Sequence, residues 1–263
     1  MRLILTQPAP RVQQIAHRLL AQGHQVIEFP QQQLLSLLDD ASIAILTRQI
    51  TASDWIIPVS PFAIQLLRHS LTVPRWPARV AVAFIGPGSQ QAWLREFDGV
   101  LPTQFAIPTG EPYEGFALLT IPAFVKCAGL RVAVLRSESK SGQDSAANRW
   151  IAQLRQMGAE VTEIALYRSQ LLPAAPATIA QVLHWCLELN TASAPAFVVT
   201  SVAAARHLSE WAQPLPQAQF VLATKVLATH QRIVAALVAS SWNKVRLIEP
   251  GEASLLSELE SRS

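Results

Sequence analysis

Hydroxyl side chains recur in this sequence where a short apolar segment passes into a segment with helical periodicity. They are Thr6, Ser60, Ser89, Ser137, Ser201 and Thr224. Each hydroxyl alone suits a helix N-cap, whose side-chain oxygen accepts a hydrogen bond from an otherwise unpaired helix N–H. Helix N-termini also attract anions through these N–H groups and the helix dipole. Together the hydroxyls predict a site for a polyanionic ligand, while for each single one capping is the alternative.

Two further side chains have chemistry that suits such a site. Arg136 follows an apolar strand-like segment, and its guanidinium can bind a carboxylate through two parallel hydrogen bonds. A salt bridge at the rim of a sheet is the alternative for this arginine. Tyr167 is one of two tyrosines and ends another strand-like segment. From its position alone, packing explains Tyr167 as well as a functional role does.

A strand–helix–strand unit from Arg131 to Ser169 positions the last two residues. Its parts are a strand from Arg131 to Leu135, a polar loop from Arg136 to Gln143, a helix from about Asp144 to Met157, a helix stop at Gly158 and a strand ending at Tyr167. Trp150, Ile151 and Leu154 recur at the spacing of one helix face. Ligands of open α/β sheets bind at the carboxyl ends of the strands, which is where the polar loop lies.

The same unit opens the chain, and further strands alternate with helices after each copy. The first copy has a strand at 2–5, a helix at 11–21, a helix stop at Gly23 and a strand at 25–29. A connecting strand is expected between 30 and 40. The other predicted strands are at 54–60, 80–85, 196–200, 220–223 and 245–248. Thr224 is expected to begin a helix that runs to about Ala239. The alternation predicts parallel sheets with right-handed crossovers, and the recurrence suggests an internal duplication.

Several classes of site lack their motifs. Gly86 and Gly88 resemble the start of a dinucleotide fingerprint, but Gln91 replaces its third glycine, and no P-loop occurs. The six histidines lack paired ligand spacing, and no G-x-S-x-G segment is present, so neither a metal site nor a hydrolase triad is expected. Cys127 and Cys186 stand alone, which is typical of buried thiols in a reducing compartment.

The composition is that of a chain with a large core. Half of the 263 residues are hydrophobic and 15% are charged, which at this length favours two domains. A net charge of +3, without a Lys/Arg run, favours an anionic small molecule over nucleic acid. Only three apolar residues follow Arg2 before Thr6, so no signal peptide is expected, and no apolar run approaches membrane-spanning length. A soluble, cytoplasmic protein is predicted.

Short motifs follow one another along the chain. They are LILTQP from Leu3 to Pro8, VSPFAI from Val59 to Ile64, the Ile-Gly segment from Ile85 to Ser89, the pair Leu135 and Arg136, the G-A-E-V-T segment with its tyrosine from Gly158 to Arg168, and the strand with Thr200 and Ser201. Their order and spacing resemble those of the uroporphyrinogen-III synthase family over nearly the whole chain. The resemblance rests on their order, since no single motif is decisive.

The resemblance implies an α/β fold of two flavodoxin-like parallel-sheet domains, joined by a two-stranded linker and with the active-site cleft between them. The first domain would be discontinuous and comprise residues 1–32 and 170–263. The second would comprise residues 35–167, with linkers near 33–34 and 168–169. The duplication described above agrees with two similar domains.

The resemblance also implies an activity, that of a lyase of tetrapyrrole and haem biosynthesis. The family closes linear hydroxymethylbilane to uroporphyrinogen III with loss of water and inversion of ring D, and uses no cofactor. Tyr167 matches the tyrosine proposed there as proton donor to the departing hydroxyl. The expected contacts of the polycarboxylate substrate are Thr6, Ser60, Ser89, Arg136, Ser137, Thr200, Ser201 and Thr224. A monomer is expected because no amphipathic coiled-coil stripe demands a partner, and no metal, nucleic-acid or membrane partner is expected from the composition.

Three positions depart from the family pattern. Gln7 replaces the usual arginine of T-R-P, Ser89 replaces a threonine, and Thr224 with Lys225 stands where many members have I-G-P. These departures reduce the support for individual site residues more than the support for the fold. A two-domain glycosyltransferase-like enzyme and a non-catalytic anion-binding α/β protein are the alternative functions.

Overall fold

Most strands are followed by helices in the part of the chain that the structure describes. The computed structural model describes residues 1–9, 11–71, 76–110, 115–138, 149–188, 194–249 and 252–260. Within these ranges no helix has both the length and the apolar character needed to cross a membrane.

The elements are numbered in chain order. The strands are β1 (Arg2–Leu5), β2 (Gln25–Glu28), β3 (Gln32–Ser36), β4 (Trp55–Pro58), β5 (Ala81–Ala83), β6 (Phe105–Ala106), β7 (Arg131–Ser137), β8 (Glu160–Leu171), β9 (Ala196–Val199), β10 (Lys225–Ala228) and β11 (Val245–Leu247). The helices are α1 (Arg11–Ala21), α2 (Asp40–Ala52), α3 (Pro61–Ser70), α4 (Pro87–Glu96), α5 (Gly115–Leu118), α6 (Pro122–Val125), α7 (Arg149–Gln156), α8 (Pro176–Leu187), α9 (Val202–Ala212), α10 (Ala218–Leu222), α11 (Gln231–Ala239) and α12 (Glu252–Glu260).

The chain divides into two compact units. Unit 1 comprises Met1–Leu34 and Gln170–Ser263, and unit 2 comprises Leu35–Ser169. The sheet of unit 1 has the strand order β2-β1-β9-β10-β11, and all its pairs are parallel. Counted within the unit, this is the order 2-1-3-4-5 of flavodoxin-like folds.

The inner strands β1 and β9 of unit 1 are apolar at successive positions because both faces of the sheet are covered there. In β1, Ile4 belongs to the core on one face, together with Trp185 of α8. Leu3 and Leu5 belong to the core on the other face, together with Leu19 of α1. This alternation follows from the two-residue period of a strand, and it explains why the strands appear as short continuous apolar runs.

Unit 2 contains a second parallel sheet of the same plan. Its strand order is β8-β7-β4-β5-β6, and β3 lies outside β8 at the edge. Val132 and Val134 of β7 form a core with Trp150, Ile151 and Leu154, the residues predicted for the buried face of α7. The fold is therefore the predicted two-domain α/β class with parallel sheets.

Each sheet takes its strands from both halves of the chain. In unit 1 the strand–helix–strand pair β1–β2 lies beside the later strands β9, β10 and β11. In unit 2 the pair β7–β8 lies beside the earlier strands β4, β5 and β6. The repeat visible in the sequence is therefore not the domain repeat, because each unit combines the pair of one half with the three strands of the other.

The two segments that pass from one unit to the other are paired strands. The backbone N–H of Leu37 donates to Leu166 O at 2.9 Å, and that of Leu172 donates to Gln31 O at 3.2 Å. Because the partner number falls as the residue number rises, the segments are antiparallel. Strand β8 continues to Leu171, so the prediction that this strand ends at Tyr167 was wrong.

Glycines with positive φ follow the helices of both strand–helix–strand units. Gly23 has a φ of 82° after α1, and Gly158 has a φ of 93° after α7. Side chains with a Cβ rarely adopt this conformation, so both predicted helix stops are confirmed with their physical reason. Residues 139–148, which hold most of the predicted polar loop and the predicted start of α7, lie outside the described residues.

Several elements differ from those that the sequence predicted. The run 220–223 ends helix α10 instead of forming a strand, and the strand follows as β10 within the segment predicted as a helix to Ala239. A short apolar run has no period that separates strand from helix. Helices α2 and α8 and the short strand β6 were not predicted. Helix α2 has a recognisable start, since Asp39 and Ser42 form a capping box.

Candidate active site

Tyr167 and Ser60 form the centre of the candidate site in unit 2. Tyr167 is only 7% exposed, and its phenol oxygen lies 2.9 Å from Ser60 Oγ. Its ring packs edge-on against Phe62, with 5.0 Å between ring centroids. Ser60 is the N-cap of α3, and its Oγ accepts a hydrogen bond from Ala63 N–H at 3.1 Å. The structure thus brings two predicted site residues together just beyond the carboxyl end of β4.

Ser137 and Arg136 join this group from the end of β7. Ser137 lies opposite Tyr167, after an irregularity in the strand register. Arg136 Nη1 donates to Glu163 Oε2 at 2.7 Å, and Arg155 Nη2 donates to the other carboxylate oxygen at 2.8 Å. Arg136 is therefore in an ion pair, the alternative stated for it, and a carboxylate ligand has to compete with Glu163. Glu163 was not among the predicted residues, although its position on β8 follows from the strand register.

Two ionisable groups of this site have shifted pKa values. Burial raises the pKa of the Tyr167 phenol, against the opposing effects of hydrogen bonds from Ser60 and Ser137 and the charge of Arg136. Burial also acts to raise the pKa of Glu163, but hydrogen bonds from Arg155 and Arg136 outweigh it and hold that pKa below the usual range. At neutral pH the site therefore contains a protonated phenol, which can donate a proton, beside an ionised carboxylate.

Ser89 follows the neighbouring strand β5 but does not cap its helix. Helix α4 begins at Pro87, before Ser89, and Gly86 is the N-cap residue. Ser89 lies in the first helical turn, is buried, and its N–H donates to Gly86 O at 3.0 Å. The structure confirms the junction and corrects the role expected for the hydroxyl.

Unit 1 presents Thr6, Thr200 and Ser201 at the carboxyl ends of the adjacent strands β1 and β9. Thr6 is fully buried, and its Oγ1 donates to Val198 O at 2.8 Å, so this hydroxyl joins the two strands. Ser201 is the N-cap of α9, as predicted, and Thr200 lies between it and β9. Gln32 Nε2 donates to Ser201 Oγ at 3.3 Å. Gln32 was missed because nothing in the sequence indicates this contact.

The strand registers show that this contact is the counterpart of the Ser60–Tyr167 contact. Aligning the two sheets on their paired residues equates positions of unit 1 with positions of unit 2. The correspondences are Arg2 with Arg131, Gln25 with Glu160, Gln7 with Arg136, Ser201 with Ser60 and Gln32 with Tyr167. Gln7 is 2% exposed, and its Oε1 has no hydrogen-bond partner within the described part of the chain. Unit 1 thus carries neutral amides where unit 2 carries a cation and a phenol.

Thr224 lies at a different kind of junction from the one predicted. It follows α10 and precedes β10, and its Oγ1 donates to Phe220 O at 3.0 Å. The residues beyond the carboxyl end of β10 are Thr229 and His230, which the sequence reasoning missed. His230 is the N-cap of α11, and its Nδ1 accepts a hydrogen bond from Arg232 N–H at 3.2 Å. The placement of Thr224 beside the other hydroxyls was therefore wrong.

The thiol of Cys186 is expected to be unreactive in the native protein. Burial raises its pKa from 9.0 to about 11, against the opposing hydrogen bond of Thr224, so its thiolate fraction near pH 8 falls about a hundredfold. Native protein treated with a chromogenic disulfide reagent should label this residue at least about a hundred times more slowly than protein in denaturant. Peptide mapping would locate the label, and rapid native labelling of Cys186 would contradict the assigned burial.

No group of three or more His, Cys, Asp or Glu side chains in the described ranges is placed to hold a metal ion.

A sequence model of the family described as "Uroporphyrinogen-III synthase HemD" matches residues 13–255. The chain belongs to the uroporphyrinogen-III synthase family. Members of this family are lyases of tetrapyrrole biosynthesis and act on a tetrapyrrole substrate. The resemblance that the motifs indicated is thereby confirmed, and neither alternative function is favoured.

Solved structures of this family share the fold. One is a mutant uroporphyrinogen III synthase from the extremely thermophilic bacterium Thermus thermophilus, with 16% identity, coverage of 100% of this chain and 98% of that chain, and a TM-score of 0.59. Another is uroporphyrinogen-III synthetase from Helicobacter pylori, with 11% identity, coverage of 100% of both chains and a TM-score of 0.56. No curated protein sequence matches this chain significantly. At these identities the likeness concerns the fold alone.

Proposed function

We propose that this chain converts linear hydroxymethylbilane to uroporphyrinogen III with loss of water, and that it needs no cofactor. The family match over residues 13–255 is the observation that carries the proposal. The bilane closes by itself to the symmetric type I isomer, so the main task of the enzyme is to hold the chain for attack through the substituted carbon of ring D. This is catalysis by orientation, which can contribute many orders of magnitude in rate.

Tyr167 is the proposed proton donor of this reaction. Its burial and raised pKa keep the phenol protonated at neutral pH, as a general acid requires. The departing hydroxyl takes the phenol proton and leaves as water. Ring closure through the spiro intermediate later releases a proton from the pyrrole system, and its return to the phenolate restores the enzyme. The net products are then uroporphyrinogen III and water.

The substrate carboxylates are proposed to bind at the carboxyl ends of the strands. In unit 2 the contacts are the first turn of α3 beyond Ser60, the first turn of α4 with Ser89, and Arg136 with Ser137. In unit 1 they are Thr200 and Ser201 before α9. The Thr6 hydroxyl already binds Val198 O, which favours a supporting role, and Thr224 is withdrawn from the set.

The domain organisation and partners form part of the same proposal. We propose that unit 1 and unit 2 are the two domains of the enzyme, and that the passages near 33–34 and 168–169 are their linkers. A mild net charge of +3 supports a small anionic substrate in place of a nucleic-acid partner. We also propose that the protein acts as a monomer.

The test is the isomer composition of the product. Purified protein is supplied with freshly generated hydroxymethylbilane, the products are oxidised to porphyrins, and the type I and type III isomers are separated chromatographically. We expect type III to dominate with the protein and type I without it. Formation of type I alone by folded protein would overturn the proposed function.

A further inference from the structure

The hydrogen-bonding capacity of Ser60 determines the direction of its contact with Tyr167. A serine hydroxyl has one proton and two lone pairs, and Ala63 N–H occupies one lone pair at 3.1 Å. If the Tyr167 phenol donated across the 2.9 Å contact, the Ser60 proton would have no acceptor among the described protein groups. If Ser60 donates, its proton and Ala63 N–H are both satisfied within this part-buried contact.

Ser137 lies beside this contact, opposite Tyr167 in the strand pairing. Hydrogen bonding with Ser60 and Ser137 acts to lower the pKa of the Tyr167 phenol, against the larger effect of burial. With Ser60 as the donor, one lone pair of the phenol oxygen is filled and the phenol proton is available to another acceptor.

A comparison with unit 1 separates the part of the Ser60–Tyr167 contact that the fold provides from the part that the reaction requires. There the capping serine, Ser201, also contacts a residue at the equivalent strand position, but that residue is Gln32. A capping serine in contact with the strand that leaves the unit is thus built twice, but Ser201 accepts from Gln32, whereas Ser60 is inferred to donate to Tyr167. An amide does not give up a proton at neutral pH, so only the copy in unit 2 can take part in acid catalysis.

We propose that Ser60 is a positioning residue for Tyr167: held by the N-cap of α3, it donates its proton to the phenol oxygen, so that Tyr167 presents its own proton to the departing hydroxyl. The inference rests on the proposed function. When the phenol proton moves to the leaving hydroxyl and water departs, the Ser60 hydroxyl keeps its proton and bonds the phenolate. The Ser60 hydroxyl is thus assigned to the hydrogen bond with Tyr167, and it does not bind a substrate carboxylate.

The kinetic test removes the hydroxyl while the helix start is kept. Glycine is an acceptable N-cap that destabilises a helix only slightly relative to serine, so Ser60→Gly should fold. We expect its kcat to fall about tenfold with KM nearly unchanged, because a hydrogen bond to a developing charge is lost. Ser60→Thr, which keeps both the cap and the donor, should restore most of kcat. Equal kcat in Ser60→Gly and the wild type would overturn the inference.

Asp39→Ala is the matched control for the loss of a cap. Asp39 caps α2 in the same unit by accepting from Ser42 N–H at 2.8 Å, and its carboxylate is exposed and outside the site. Its replacement should lower the midpoint of unfolding and leave kcat unchanged. A similar fall in kcat in this control would show that helix fraying causes the Ser60 effect, and would also overturn the inference.

A titration without substrate separates this inference from the proposed function. Replacing Tyr113 by phenylalanine leaves Tyr167 as the only tyrosine, and 3-fluorotyrosine incorporation makes its ionisation visible by fluorine NMR. Loss of the Ser60 donor should move the pKa of that phenol further upward in Ser60→Gly, and Ser60→Thr should reverse the shift. An unchanged pKa would overturn the inference even in an active enzyme. A wild type that forms only the type I isomer would instead refute the proposed function, whatever the titration shows.

Discussion

Replacing Tyr167 by phenylalanine is expected to lower kcat by on the order of ten- to a thousandfold, the contribution of a general acid for which water can partly substitute. The variant keeps the ring that packs at 5.0 Å against Phe62, so the fold should persist. KM should change little, because the lost interaction acts on the departing hydroxyl in the transition state. Steady-state kinetics with isomer analysis measures both constants, and circular dichroism verifies the fold.

Ser53→Ala is the control for removing a buried hydroxyl from the same unit. Ser53 is 8% exposed, its Oγ donates to Gln49 O at 2.8 Å, and it precedes β4 at the end opposite Ser60. We expect its kcat to stay within about twofold of the wild type, as for a site distant from the chemistry. If Tyr167→Phe and Ser53→Ala had the same kcat, Tyr167 would be a packing residue and another group would have to supply the proton.

Replacing Trp93 by alanine is expected to destabilise unit 2 by about 3–5 kcal/mol. Trp93 has no exposed surface and stacks on Phe97 with 4.0 Å between ring centroids. Its other face and edges meet Trp76 at 5.0 Å and Phe84 at 5.7 Å, and its Nε1 donates to Val100 O at 3.1 Å. A loss of this size is comparable with the whole free energy of unfolding of many domains. Relaxation of the neighbouring side chains into the cavity should therefore recover only a small part of it.

The measurement for Trp93 has to resolve the two units, since a two-domain chain need not unfold in one step. Hydrogen exchange followed by mass spectrometry reports on each strand separately. Protection should fall in β4, β5 and β7 and change little in β9 and β10. Trp93→Phe, which keeps a stacked ring, should cost less than half as much. Equal loss of protection in both units would contradict the assignment of this aromatic cluster to the core of unit 2.

Most strands and their junction residues could be predicted because their signals are local. A short apolar run marks a strand covered on both faces, and a serine before a proline marks the start of α3 at Ser60. Ser201 lies between the apolar run of β9 and the helical pattern of α9, and it was assigned correctly as an N-cap. Thr224 was assigned wrongly because the apolar run around it contains both a helix end and a strand, and a run of that length has no distinguishing period.

The contacts of the site could not be predicted, because they depend on strand register and not on local sequence. Ser60 and Tyr167 are 107 positions apart, and their contact requires β4, β7 and β8 to be neighbours. The equivalence of Gln32 and Tyr167 becomes visible only when the two sheets are aligned on their paired residues. The ion pairs of Glu163 with Arg136 and Arg155 likewise arise from cross-strand and helix packing.

The exchange of strands between the two halves makes the units circular permutants of one another. Unit 1 begins with its edge pair β1–β2, whereas unit 2 begins with its third strand and ends with the edge pair β7–β8. During synthesis unit 2 is complete once residue 169 has emerged, but β1 lacks its neighbour β9 until far later. Thr6 and its partner Val198 are 192 positions apart, which at about 5–20 residues per second corresponds to roughly 10–40 s. During that interval the apolar edge of β1 is exposed in the nascent chain, because β9 has not yet been synthesised. The order in which the strands are synthesised, and not their final pairing, therefore determines which part of this protein is exposed to misassembly.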